Sequence, residues 1–150
     1  MKSRVYLAGE IHTEWRKEIT GLCESLGLDI DFSSPITDHN LSDDIGVQTT
    51  GDEDKSFWND YKSARLNQAR NKVLLEKSSI VIVRFGERYK QWNSAFDAGF
   101  AVAHNKPLIT WHDESLDHAL KEIDAAAACV TRNVDEVVKS IAYICCGKVS

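Results

Sequence analysis

Short apolar blocks alternate along this chain with stretches whose apolar positions recur at helical spacing, a pattern of buried strands and amphipathic helices. Val5-Tyr6-Leu7-Ala8 is the first block and ends at Gly9; from Thr13 onward Trp15, Ile19, Leu22 and Leu26 share one helical face up to Gly27. Leu28 to Phe32 reads as a second strand, bounded by Ser33-Ser34-Pro35. This βαβ opening predicts a right-handed crossover between parallel strands. From Ser34 to about Ser56 the chain is polar and has no periodic apolar face, which predicts a long loop. Such a loop in a compact domain usually has a job, such as covering a site.

Trp58, Tyr61, Ala64, Leu66, Ala69, Val73 and Leu74 then predict a helix reaching about Lys77. The third strand, Ile80 to Phe85, is almost wholly apolar and therefore central. A helix from Gln91 or Trp92 to Asn105 follows, then a fourth strand at Leu108–Trp111 and a short helix at Ser115–Glu122 with Ser115 as N-cap. A strand near Ala127–Thr131 and a last helix from Val134 to about Ile144 complete the chain. The alternation predicts an α/β protein: a three-layer α/β/α sandwich with a five-stranded parallel sheet in flavodoxin-like order 2-1-3-4-5.

Its 150 residues suit one domain with a full core of its own. A net charge of −5 with scattered Lys and Arg argues against nucleic acid or an anionic membrane as partner and favours a small-molecule ligand. The four cysteines, Cys23, Cys129, Cys145 and Cys146, form no C-x-x-C pair and fit reduced thiols in the cytoplasm. Glu10 and His12 interrupt the first apolar segment and no run suits a membrane span, so neither export nor insertion is expected. Asp38, His39, Asp43 and Asp44 match neither an EF-hand nor a zinc spacing and read as a solvated acidic loop, so no metal is expected.

No G-x-G-x-x-G or G-x-x-x-x-G-K-[ST] occurs, which removes the simplest dinucleotide and nucleoside-triphosphate readings, and no cofactor is expected. Two segments reach the carboxyl edge of the predicted sheet, where open α/β sheets bind ligands. The first strand ends in Gly9, which permits close approach to the backbone, and then releases Glu10 and His12. After the third strand, Asn93-Ser94-Ala95-Phe96-Asp97-Ala98-Gly99-Phe100-Ala101 brings the carboxylate of Asp97 to the same edge. There it is a nucleophile, a base or a helix-capping anion.

Tyr6-Leu7-Ala8-Gly9, then Asn93 to Ala101, then Lys106-Pro107-Leu108-Ile109 resemble, in order and spacing, the nucleoside 2-deoxyribosyltransferase-like superfamily. Tyr6 to His12, with Val83-Arg84-Phe85-Gly86 and Gln91-Trp92-Asn93 before Ala95-Phe96-Asp97-Ala98-Gly99, is more closely similar to its YtoQ family. The resemblance implies that Asp97 occupies the position of a nucleophilic Glu, one methylene shorter. A displacement of about 1 Å at an attacking atom costs on the order of 100-fold in rate. Gln91 stands where the superfamily has an Asp that engages the nucleobase, Asn71 near the place of a further Asp, and Glu10 in place of a Pro. Members are usually dimers or larger, which implies a homo-oligomer.

Retaining glycosyl chemistry needs one carboxylate at the anomeric carbon and an acid for the leaving group. Asp97 is expected to be the nucleophile or to stabilise the oxocarbenium ion, kept ionised in part by the helix dipole, with Glu10 favoured over Glu87 as the acid. Arg84 either binds an anionic ligand group or holds Asp97 or Glu10 in an ion pair. Gln91 and Asn93 read the polar edges of a base, or Asn93 caps the helix. Trp92 stacks on a ring or packs as core. Tyr6, Gly9, His12, Asn71, Glu87 and Ser94 complete the candidate binding set. The leading expectation is an enzyme acting on the N-glycosidic bond of a nucleoside, nucleotide or related ribosylated molecule by hydrolysis or base exchange. The same substitutions also fit a non-catalytic sensor that keeps the pocket, and a third possibility is an oligomeric scaffold whose pocket is incidental.

Overall fold

Alternate side chains of the central strands point to opposite faces of the sheet, and both faces are apolar, so each must be covered by helices. In a computed structural model that describes residues 2–149, β1 (Ser3–Gly9), β2 (Ile30–Ser33), β3 (Ile80–Arg84), β4 (Leu108–Trp111) and β5 (Cys129–Thr131) form one parallel sheet in the order β2-β1-β3-β4-β5. Val5, Leu7, Ile80, Ile82 and Ile109 pack on one face against Trp15, Ile19 and Cys23 of α1 (Trp15–Ser25) and Val137, Val138 and Ile141 of α6 (Val134–Cys146). Tyr6, Ala8, Val81, Val83 and Leu108 pack on the other against Leu75, Ala98, Ala101 and Ile123. These last four belong to α3 (Ser56–Glu76), α4 (Trp92–Ala103) and α5 (Asp117–Ala126). The expected sandwich and strand order are present.

The predicted loop after Ser34 is instead mostly helix. α2 (His39–Thr50) starts at Asp38, whose side chain accepts a 3.1 Å hydrogen bond from Leu41 N. Its hydrophobic pattern is weak because polar groups and one close approach hold it to α3. Ser63 Oγ accepts from Gly46 N at 2.9 Å and donates to Asp43 O at 2.7 Å, while Asn67 Nδ2 donates to Ser42 O at 2.8 Å. A Cβ on Gly46 would lie 2.7 Å from Ser63 N, so only glycine lets the helices approach this closely.

Two helix starts also differ. Glu10 accepts from the backbone amides of His12 and Thr13, which holds those residues out of the helix, and α1 begins at Trp15. The cap near Ser115 is Asp113, which accepts from Ser115 N at 2.9 Å and opens a single 3-10 turn (Glu114–Leu116) before α5. Among the described residues no helix is long and apolar enough to cross a membrane, and all four cysteines are free thiols.

Candidate functional site

The strand order reverses at β1 and β3, where the following chain segments diverge and leave a crevice at the carboxyl edge. Gly9 pairs with Arg84 there, and Glu10 N continues the ladder to Arg84 O at 3.1 Å. Gly9 has φ 131°, and a Cβ on it would overlap the Arg84 backbone. The close approach that requires glycine is therefore to β3 rather than to a ligand. Above this edge lies a cavity of about 610 Å³, walled by the loops after β1, β2 and β3, the start of α4, and the α2–α3 hairpin.

Asp97 lies at this cavity on α4, 6% exposed. Asp97 lies beyond the first turn of α4, where the helix dipole acts, and burial pushes its carboxyl up to about 6. Tyr6 is fully buried and its hydroxyl has no hydrogen-bond partner. Burial and then the nearby Asp97 charge push that phenol far above its ordinary value. An unpaired buried hydroxyl beside an ionisable carboxylate is a polar pair waiting for a partner.

Glu10 also faces the cavity, but its carboxylate is engaged. It accepts from His12 N at 2.6 Å, from Thr13 N at 3.1 Å and from the Thr13 hydroxyl, and Arg84 Nε lies 3.7 Å away. Burial pushes this carboxyl up; the Thr13 hydroxyl, the two amides and Arg84 outweigh it and leave it below its ordinary value. An acceptor so supplied holds no proton at neutral pH, which opposes the acid role expected of Glu10. The rest of the turn is fixed by Arg16, which donates to the carbonyls of Leu7, Gly9 and Glu10, and by Trp15 Nε1, which donates to Glu10 O.

Arg84 takes the structural alternative of its two expected roles. Its guanidinium lies 3.9 Å from the Trp111 ring centroid and beside Glu10, and it does not line the cavity. Gln91 lines the cavity, yet its amide clamps Gly86: the oxygen accepts from Gly86 N at 2.8 Å and the nitrogen donates to Gly86 O at 3.4 Å. Its expected task of reading a base is thus occupied by the β3–α4 loop. Asn93 lies inside α4, whose N-cap position is Gln91, so it does not cap that helix.

His12, Asn71, Trp92, Asn93 and Ser94 line the cavity, whereas Tyr6 sits behind the wall and Glu87 is exposed outside it. Trp92 is 73% exposed, so it belongs to the rim and not the core. His12 packs on Tyr89, ring centroids 4.5 Å apart. The loop after β2 adds Ile36, and the α2–α3 wall adds His39, Asp43, Asp60, Asn67 and Gln68. One signal could have exposed it: Asp60, Asn67, Gln68 and Asn71 share one helical face, a polar stripe on a helix read only for its apolar positions.

Among the described residues, His112, Asp117 and Asp124 place ligand atoms within 4.8 Å of one another. A cation is already supplied there, since Arg132 NH1 lies 2.6 Å from Asp117 and 3.2 Å from His112 Nδ1. Asp124 accepts from Thr110 Oγ1 and pairs with His112 Nε2, each at 2.8 Å. The cluster ties the ends of β4 and β5 to α5.

Solved structures share this architecture. A conserved protein from Enterococcus faecalis V583 matches with TM-score 0.61 and 15% identity, over 94% of this chain and 98% of its own. A 2-deoxyribosyltransferase from Bacillus psychrosaccharolyticus matches with TM-score 0.53 and 16% identity, over 91% and 90%. The fold, a five-stranded parallel α/β sandwich, is therefore one that a 2-deoxyribosyltransferase also adopts. Within it, a Bacillus subtilis (strain 168) protein named uncharacterized protein YtoQ is 43% identical over 144 residues, 96% of this chain and 97% of that one. The family model for nucleoside 2-deoxyribosyltransferase YtoQ matches residues 6–145, and the chain belongs to that family.

Proposed function

We propose that the protein cleaves or exchanges the N-glycosidic bond of a nucleoside or related ribosylated small molecule, with Asp97 as the nucleophile. The observation that carries this reading is a buried carboxylate, with no cation or hydrogen bond relieving it among the described residues, in the lining of a cavity at the sheet's reversal point. Family membership supports it, as the family model is described as a nucleoside 2-deoxyribosyltransferase.

In this mechanism an Asp97 oxygen attacks the anomeric carbon as the carbon–nitrogen bond breaks, and the base leaves with the bonding pair. Water or a second base then attacks that carbon and returns the carboxylate. Burial raises the ground-state energy of the Asp97 charge, which an oxocarbenium-like transition state relieves. Tyr6 lies behind the cavity wall with its hydroxyl unpaired, close enough to Asp97 to feel its charge. Glu10, ionised, fixes the turn that shapes the cavity. Gln68, Asn71 and Asn93 offer amides to sugar hydroxyls or a base, and Trp92 offers a ring face.

A homodimer or larger homo-oligomer belongs to the proposal. Its support is an exposed aromatic group on α3, Phe57, Trp58 and Tyr61, whose rings contact one another. Light scattering tests it, and a monomer at micromolar concentration contradicts it. The functional reading is tested by chromatography of free base released from a nucleoside panel. Wild-type protein releases base and Asp97→Ala and Asp97→Asn do not; equal release by folded variants contradicts it.

A further inference from the structure

We infer that the cavity takes an N-glycoside whose leaving base is already a cation, such as an N7-alkylated purine or an N-ribosyl pyridinium. This inference deepens the glycosidic reading above and rests on it.

Two independent observations carry it. The first is charge. The cavity is lined by four carboxylates, Glu10, Asp43, Asp60 and Asp97, against a single lysine, Lys90, and the imidazoles of His12 and His39. His39 Nε2 already pairs with Asp43 at 3.2 Å, and the Lys90 ammonium sits 5.6 Å from the Trp92 ring centroid. No arginine lines the cavity: Arg16 serves backbone carbonyls, Arg70 donates to Ser34 O at 2.9 Å, and Arg84 lies against Trp111. Such a lining opposes a phosphate dianion and attracts a cation.

The second observation is that the carboxylate expected to act as the acid, Glu10, is engaged by its own turn. A neutral nucleobase must gain a proton as it leaves, and a general acid at that atom contributes roughly 100- to 10,000-fold. Glu10 is held as an acceptor by two amides, a hydroxyl and a guanidinium, and the Gln91 amide is closed on Gly86. A cationic leaving group removes the need. As Asp97 bonds to the anomeric carbon, the carbon–nitrogen pair moves onto the ring nitrogen, cancels its positive charge and releases a neutral base. Water then adds to the anomeric carbon, the ester carbon–oxygen bond breaks towards Asp97, and the proton of that water passes to solvent.

The test is a matched pair with one sugar: guanosine and N7-methylguanosine, with 1-(β-D-ribofuranosyl)pyridinium-3-carboxamide as a second cation. The full-length protein is expected to cleave both cations in an Asp97-dependent manner, with kcat/KM at least about 100-fold above guanosine, the lower end of an absent acid's contribution. Comparable Asp97-dependent cleavage of guanosine overturns this inference and leaves the glycosidic reading standing. No cleavage of any probe overturns both. A second variant isolates the charge. Asp43→Asn with Asp60→Asn raises KM for N7-methylguanosine a few-fold, as loss of exposed charges does, and an unchanged KM contradicts the electrostatic part.

Discussion

Arg84 Nε lies 3.7 Å from Glu10 Oε1, and the same guanidinium sits over Trp111, 3.9 Å from its ring centroid. One arginine thereby links the turn after β1 to the end of β4, and the loop lining the cavity is set from beneath.

Glu10→Gln therefore loosens the turn without removing a proton donor. The variant is expected to lose about 1–3 kcal/mol of stability at pH 7, the cost of weakened charge-assisted hydrogen bonds. Its folded-state pKa is lowered, so the contribution of Glu10 is full above its ordinary value of 4.5 and is lost as pH falls through the lower folded value. Urea titrations from pH 3 to 7 read the difference, which shrinks towards the acid end. If Glu10 were the acid, the variant would keep its stability and lose its turnover.

Asp97 has the opposite sign. The folded protein binds this proton more tightly than the unfolded chain, so the ionised carboxylate costs stability as pH rises from 3.8 to about 6, and the cost is full above that. Asp97→Asn is expected to be more stable than wild type at pH 7 by up to about 3 kcal/mol, and less so at pH 4. Thermal melts at both pH values check this, and a destabilised variant at pH 7 contradicts it. Turnover should fall on the acid side through about pH 6, as the nucleophile takes its proton.

Gln91→Ala releases the Gly86 clamp. Because the amide serves the loop, kcat/KM is expected to drop by a similar factor for every base in a panel. A loss confined to one base would return Gln91 to the reading role.

Gly9→Ala is expected to cost more than about 1–3 kcal/mol, since it adds a positive-φ penalty to an overlap with β3 backbone. Gly46→Ala meets Lys62 Cγ and Ser63 N and should separate α2 from α3. Its cost falls within that range because a lysine stem can move. Denaturant midpoints rank the two.

The sheet order was legible because continuous apolar runs such as Ile80-Val81-Ile82-Val83 occur only in strands covered on both faces. Asp97 was legible because it follows the central strand in a run of small and apolar residues. The α2–α3 wall was not, since Gly46, Ser63 and Asn67 join these helices by close approach and hydrogen bonds, which leave no hydrophobic period. The roles of Glu10, Gln91 and Arg84 also lay beyond sequence. Whether a carboxylate or amide meets a ligand or its own loop depends on contacts such as Glu10 to Thr13 and Gln91 to Gly86.

The most direct measurement of the central claim is mass spectrometry of protein quenched during turnover of N7-methylguanosine. A peptide containing Asp97 that carries the mass of one ribosyl group, absent in Asp97→Asn, is the result expected of a carboxylate nucleophile. Base release that persists in folded Asp97→Asn protein, with no adduct in either protein, would contradict it.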